Sequence, residues 1–414
     1  MSEEKKSTYD IGRIFAEMTL NLIASLKRNL SRHKREEEKV GFRFDQWQAV
    51  KLRNLRQYRK ANKRIIEDAG KDAEQLVEDV LQMSFQFGEE SVEGATRQVL
   101  EKKVTGEIEF PKDMKPRKPK RPPKEQLQIP IEPLSPEPRP HAELPKAPPE
   151  SDFFGVNEKK LGALQETVKK DLKKAQHGVL RKMDDVYRQV IYKAEVHMTA
   201  GAKTLDQAID MATKEFLEKG IDCITYKNGR RATITAYAEM ALRTASQRAT
   251  FLGEGKKRDE WGIYTVIMSA HDNCSPWCMP YQGTVLIDDV YTSISEEQAQ
   301  QLAKETGYVL LSEAMQEGAF HPNCRHTLST YFPGITQLPP PVDEETAKRN
   351  YEAEQRQRYI ERQLRRYKRL AAGSLDESNQ EKFAAKVKEW TEKLREHLAD
   401  HPELRRMRRR EKVE

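Results

Sequence analysis

Long apolar runs are missing from this chain of 414 residues. No stretch of about 18 apolar residues occurs, which excludes a membrane-spanning helix, and no membrane partner is expected. Met1 to Asp10 carry no apolar core followed by a small-residue cleavage site, so a soluble, cytosol-made protein is expected. Cysteine is scarce, with four residues, and aromatic residues make up 7%. Three of the cysteines crowd beside histidines, which favours metal ligation over a disulfide framework; Cys223 stands apart and is expected to be a buried thiol. Hydrophobic residues reach 37% against 34% charged, with a mean hydropathy of -0.86, so one compact globule is not expected. An excess of one charge is also lacking: 73 bases against 66 acids leave +7, far from the density of a dedicated nucleic-acid coat. Common enzyme signatures are absent too, since no Gly-rich phosphate loop, Gly-x-Ser-x-Gly elbow or His-Glu-x-x-His helix occurs.

What is present divides into four parts. Residues 1–104 form a basic helical module: Ile11, Phe15, Met18, Leu22, Leu26 and Leu30 recur at helical spacing, followed by one run from Phe44 and another around Leu76 to Phe85. Its basic face allows contact with DNA, although charge-rich helix faces are more often simply solvated. Residues 105–150 hold 13 of the 21 prolines. Proline removes a backbone donor and fixes φ, so an extended linker able to hold two domains tens of ångströms apart is expected there.

Residues 151–338 read as a helix-rich α+β domain. Leu161, Leu164, Val168, Leu172, Ala175, Val179, Met183, Val186 and Val190 mark a helix seam, used either in a core or in a coiled coil. Thr204 to Gln207 has the form of a capping box. Asn228-Gly229 suits a hairpin turn, and an alanine-rich helix should run from Thr235 to near Gly253 and Gly255. Trp261 to Met268, Thr284 to Ile287, Tyr308 to Leu311 and Thr327 to Phe332 read as strands, with a helix capped by Ser295 and Gln298 among them. Residues 339–414 are two long charged helices, expected to extend outward or lie against another subunit. They end in Arg405, Arg406, Arg408, Arg409 and Arg410, either a solvated end or a phosphate-binding run.

The chemistry concentrates between His271 and His326. His271, Cys274 and Cys278 form one knot; His321, Cys324 and His326 form another. A tetrahedral zinc site takes thiolate and imidazole ligands from two tight turns and pins them together. Six candidates exceed four places, so some serve as neighbours rather than ligands. A structural zinc ion is expected. A catalytic one would need a water position and a carboxylate, and Asp272, Asp288 and Asp289 are near in sequence only.

At these residues the chain resembles a known family. Ser269-Ala270-His271, Tyr281-Gln282-Gly283, Asn323-Cys324-Arg325-His326 and Phe332-Pro333-Gly334-Ile335 resemble the signature of phage minor capsid protein 2, itself similar to the Mu F-type head morphogenesis proteins. The helix, the Asn228-Gly229-Arg230-Arg231 hairpin and the alanine-rich helix fit as well, and the resemblance covers about residues 155–337. Many members place His at position 278 and a small residue at 274, an exchange of soft ligands that a metal position tolerates. That favours Cys278, Cys324 and His326, with the fourth ligand open among Cys274, His271 and His321. The resemblance implies a virion component made in the host cytoplasm and acting in head assembly near the portal. Its implied partners are the portal or major capsid protein, and it could enter the host with the DNA; the basic segments lie outside the resemblance, and contact with phage DNA is expected of them from their charge alone. The alternatives are a zinc-dependent nuclease or other effector enzyme delivered with the genome, and a DNA-binding module using the basic helices and Arg tail.

Overall fold

The computed structural model describes residues 7, 8, 10–31, 44–104, 161–199, 204–226, 229, 231–333 and 335–412. The proline-rich segment and Asn228, Arg230 and Gly334 lie outside these residues. Helix α1 (Asp10–Leu30) buries Ile11, Phe15, Met18, Leu22, Leu26 and Leu30, a stripe stepping by three or four residues. The two runs that follow are one helix, α2 (Phe44–Val104), of 61 residues. Buried residues recur along nearly its whole length, from Trp47 to Thr96. Ser25 Oγ of α1 donates to Asn62 Oδ1 of α2 over 2.8 Å.

Helix α3 (Leu161–Thr199) runs beside α2, with the Tyr58 and Tyr187 rings stacked at 4.3 Å. Leu172, Ala175, Val179, Met183, Val186 and Val190 enter one cluster with the α1 and α2 stripes. The heptad seam is therefore spent inside the chain and not on an intermolecular coil. The helices flanking the proline-rich segment also share this core instead of standing tens of ångströms apart. Helix α4 (Leu205–Lys219) starts at Thr204, whose side chain accepts from Gln207 N, and stops at Gly220. Strands β1 (Asp222–Thr225) and β2 (Arg231–Thr233) pair antiparallel, Thr225 opposite Arg231. Gly229, between them, has φ +78°.

Helix α5 (Ile234–Trp261) overruns the stop expected at Gly253 and Gly255. These glycines are contact points. A Cβ on Gly253 would collide with the Phe85 carbonyl of α2, one on Gly88 with the Thr250 carbonyl of α5, and one on Gly255 with Tyr291. Backbone approach outweighs the roughly 1 kcal/mol that glycine costs inside a helix. The helix ends at Gly262 in the left-handed region, so the next strand, β3 (Thr265–Met268), starts later than its apolar run suggests.

Strand β3 is central in a four-stranded sheet of order β5-β4-β3-β6. It pairs antiparallel with β4 (Val285–Ile287) and β6 (Leu328–Thr330); β4 pairs parallel with β5 (Val309–Leu310). Helix α6 (Glu296–Thr306), with the complete Ser295/Gln298 capping box, and α7 (Leu311–Gln316) complete the unit. Arg258 of α5, with no exposed side-chain surface, donates to Asp288 Oδ2 at 2.8 Å and lies 3.4 Å from Glu254, locking helix to sheet.

Helices α8 (Glu344–Gly373) and α9 (Glu377–Asp400) do not extend outward. Helix α8 buries Ile360, Leu364 and Leu370, and its Arg369 donates to the carbonyls of Leu217 and Glu218 at the end of α4. The turn into α9 is held by the buried Asp210 carboxylate, which accepts from Leu375 N and Asp376 N. A last turn, α10 (Arg408–Glu411), lies on α8. No helix among the described residues is long and apolar enough to cross a membrane.

Candidate metal centre

Both knots are tight turns, the first leaving the central strand β3 and the second entering the edge strand β6. In the first, Gly283 N donates back to Met268 O at 2.8 Å, closing a loop between β3 and β4. Inside it, Cys278 N donates to Ser275 O, and Gln282 N to Cys278 O. These bonds point Cys274 and Cys278 into the second hydrophobic cluster, beside Phe320 and Leu328. In the second knot Phe320 and Asn323 have φ of 55° and 66°. Asparagine tolerates this left-handed geometry, and here it turns Cys324 back toward the sheet.

The side chains converge. Cys278, His321 and Cys324 each present a ligand atom within 4.8 Å of the others, and the two sulfurs are 3.7 Å apart. The Nδ1 of His321 is 2.9 Å from the Pro322 carbonyl, an acceptor, so it carries the ring proton and Nε2 keeps a lone pair. Ser275 Oγ lies 2.7 Å from that Nε2. His326 lies alongside, Nδ1 3.2 Å from Cys324 Sγ and Nε2 3.5 Å from Cys274 Sγ, while His271 stacks on it at 4.1 Å. All six predicted residues thus gather in one place. The mutually close trio contains His321 where the sequence favoured His326, and Cys274 and His326 border it.

Electrostatics fit a metal-binding role. A hydrogen bond from Cys324 holds the Cys278 thiol far below its usual range, with further help from His321 and His326. The same bond pushes Cys324 up. Burial raises Cys274, and burial followed by repulsion from His326 disfavours protonated His271. Two buried sulfurs and an imidazole form a soft donor set suited to zinc, with a fourth donor available from Cys274 or His326. Asp288 and Asp289 are engaged elsewhere, on Arg258 and Tyr291 N and on Ser312. Neither is drawn to the trio as a proton carrier.

Several supporting residues escaped the sequence reading. Gln247 of α5 donates to the His326 carbonyl at 2.6 Å, and Arg243, one helical turn earlier, donates to Asn323 Oδ1 at 2.6 Å. Their i,i+4 spacing was visible, but not their target. Gln282 accepts from His271 N and sits 3.4 Å from His326 Nε2. On α8, Glu354 takes Arg325 and Asn273, one from each knot. Of the tail arginines, Arg410 pairs with Glu354 and Glu361, and Arg406 with Glu411; Arg405, Arg408 and Arg409 are exposed.

The family model of phage minor capsid protein 2 matches residues 146–399. The match runs past position 337 and through both long charged helices. A structural protein of Lactococcus phage LL-H is 25% identical over 185 residues, which cover 44% of this chain and 48% of that protein. A structural protein of Lactococcus phage mv4 is 37% identical over 95 residues, 22% of this chain and 77% of that one. The chain thus spans about half the length of the first of these relatives. No solved structure matches it.

Proposed function

Because the chain belongs to the phage minor capsid protein 2 family, we propose that it is a structural component of the phage particle that acts in head assembly beside the portal, with a zinc ion riveting its two Cys/His knots. The observation that carries the rivet is the convergence of Cys278, His321 and Cys324, both sulfurs buried and the imidazole half-buried, beside a cluster of apolar side chains. Such a pocket suits an ion that holds strands together more than one that must admit substrate and water. Cys278, Cys324 and His321 would bind it, with Cys274 or His326 completing the tetrahedron. Bound there, zinc would supply a crosslink between two turns 46 residues apart in sequence.

Two measurements test the reading. Metal analysis of the purified full chain should find about one equivalent of zinc, lost in Cys278→Ser/Cys324→Ser; less than about a tenth of an equivalent overturns the rivet. Localisation in assembled particles by cryo-electron microscopy should place the chain at the portal vertex. Uniform decoration of the shell, or absence from particles, overturns the placement. The nuclease alternative fails if plasmid incubated with the chain and divalent metals stays intact.

A further inference from the structure

Helix α2 is charge-segregated. Residues 46–66 carry seven bases and no acid, whereas residues 67–93 carry nine acids and one base. Within the basic part, Lys51 turns inward to the Asn29 carbonyl, Arg59 pairs with Asp184 of α3 at 3.2 Å, and Lys63 reaches Glu67 at 3.4 Å. Arg53, Arg56, Lys60 and Arg64 remain. All are exposed, and none has an ion-pair partner among the described residues. Their spacing of three, four and four places them on one helical stripe, opposite the face that buries Tyr58 and Asn62.

We propose that this stripe binds the phosphate backbone of duplex DNA. From residue 53 to 64 it runs about 16 Å at 1.5 Å per residue, long enough to follow several consecutive phosphates. Guanidinium groups make three of the four contacts, the head group that pairs with phosphate in a fork. An anionic membrane is a poorer fit, because a helix lying in a bilayer surface needs an apolar face beside its cations, and the neighbours here are Gln57 and Ala61, with Leu52 the one large apolar side chain at the edge. The tail arginines are a weaker site, since Arg406 and Arg410 are already paired with carboxylates of the chain. Binding would be independent of sequence, because the groups offered are cations on a convex helix and not a reading head shaped for base edges.

The test is fluorescence anisotropy of the full chain with a labelled 30-base-pair duplex between about 50 and 200 mM salt, where four phosphate contacts give a slope near -3.6 and an affinity loss on the order of 100-fold. Arg53→Gln/Arg56→Gln/Lys60→Gln/Arg64→Gln should weaken binding at least tenfold and remove most of that slope. Arg405→Gln/Arg408→Gln/Arg409→Gln should leave both nearly unchanged. All seven side chains are exposed, and matched far-ultraviolet melts of the variants verify folding. The proposal is overturned if the parent chain does not retain DNA, if the quadruple variant binds as the parent does, or if the tail variant alone abolishes binding. It is likewise overturned if the stripe instead holds a second copy, seen as a dimer in light scattering that the quadruple variant dissolves with no DNA binding by either form.

Discussion

The Arg258–Asp288 pair offers the most quantitative test of how the sheet is held. Arg258 has no exposed side-chain surface and Asp288 none either, with 2.8 Å between Nη2 and Oδ2. Replacing Arg258 by Met strands a buried carboxylate that keeps only backbone donors such as Tyr291 N, at 2.9 Å. Replacing Asp288 by Asn retains an acceptor for Tyr291 N but leaves the guanidinium with Glu254 alone, at 3.4 Å. Breaking a buried pair from one side costs about 3–5 kcal/mol, because the surviving charge stays out of water. Removing both charges loses only their mutual attraction and regains both desolvation penalties, so the double variant should lie within about 2 kcal/mol of the parent. Urea unfolding followed by tryptophan fluorescence reads this directly, since Trp261 lies three residues past Arg258 in α5. A coupling energy near 3 kcal/mol or more is expected. Losses in the two single variants that simply add in the double would refute the view that these two charges stabilise each other.

Two further predictions follow from the same core. Burial raises Glu254 from 4.5 to about 7 against the pull of Arg258, so the folded chain holds a proton there that the unfolded chain releases. Its contribution to stability is full below pH 4.5 and lost as pH rises through 7, about 3 kcal/mol at 1.36 kcal/mol per unit; Glu254→Gln should remove that part of the slope, seen as the difference between parent and variant melts from pH 4 to 8. Gly253→Ala should destabilise by about 1–3 kcal/mol through collision with α2 despite better helix propensity, whereas Gly94→Ala, with nothing within 4 Å of its added methyl, should stabilise by up to about 1 kcal/mol in the same melts.

Much of this architecture was legible because local chemistry and final contacts agree. Thr204, Ser295 and Gly220 act where capping rules place them, and the stripe from Ile11 to Leu30 is the buried face. Misreadings occurred where long-range contacts overrule local preference. Gly253 and Gly255 look like a helix stop until α2 and Tyr291 are beside them. The seam from Val168 to Val190 has the same heptad spacing whether its partner is another chain or, as here, α2, α4 and α5. At the candidate metal centre, residue types and clustering were readable, but which imidazole lies closest to the two sulfurs was not. It depends on left-handed turns at Phe320 and Asn323 that swing His321 toward Cys278, and no periodicity encodes that swing.

Glu354 joins what the sequence presents as separate parts. It lies on α8, yet it accepts from Arg325 of one knot and Asn273 of the other, takes Arg358 at 3.0 Å on its own helix, and sits 3.8 Å from Arg410 of the tail. Burial pushes its carboxyl up, but the surrounding guanidinium groups win and hold it below the usual carboxylate range. Its contribution is therefore present above its unfolded value of 4.5 and lost as pH falls through the lower folded value. Glu354→Gln keeps the shape and one acceptor while removing the charge that three arginines share, a loss of about 1.5–3 kcal/mol for charge-assisted bonds. If the carboxylate is the junction, two distant properties should change together: trypsin should cut faster after Arg405 and Arg406, and a chelator should strip the proposed zinc from the Cys/His centre faster. Faster tail cleavage with unchanged metal release would mean that α8 clamps the tail alone, and the knots are held by α5 through Gln247 and Arg243 without help from the C-terminal helices.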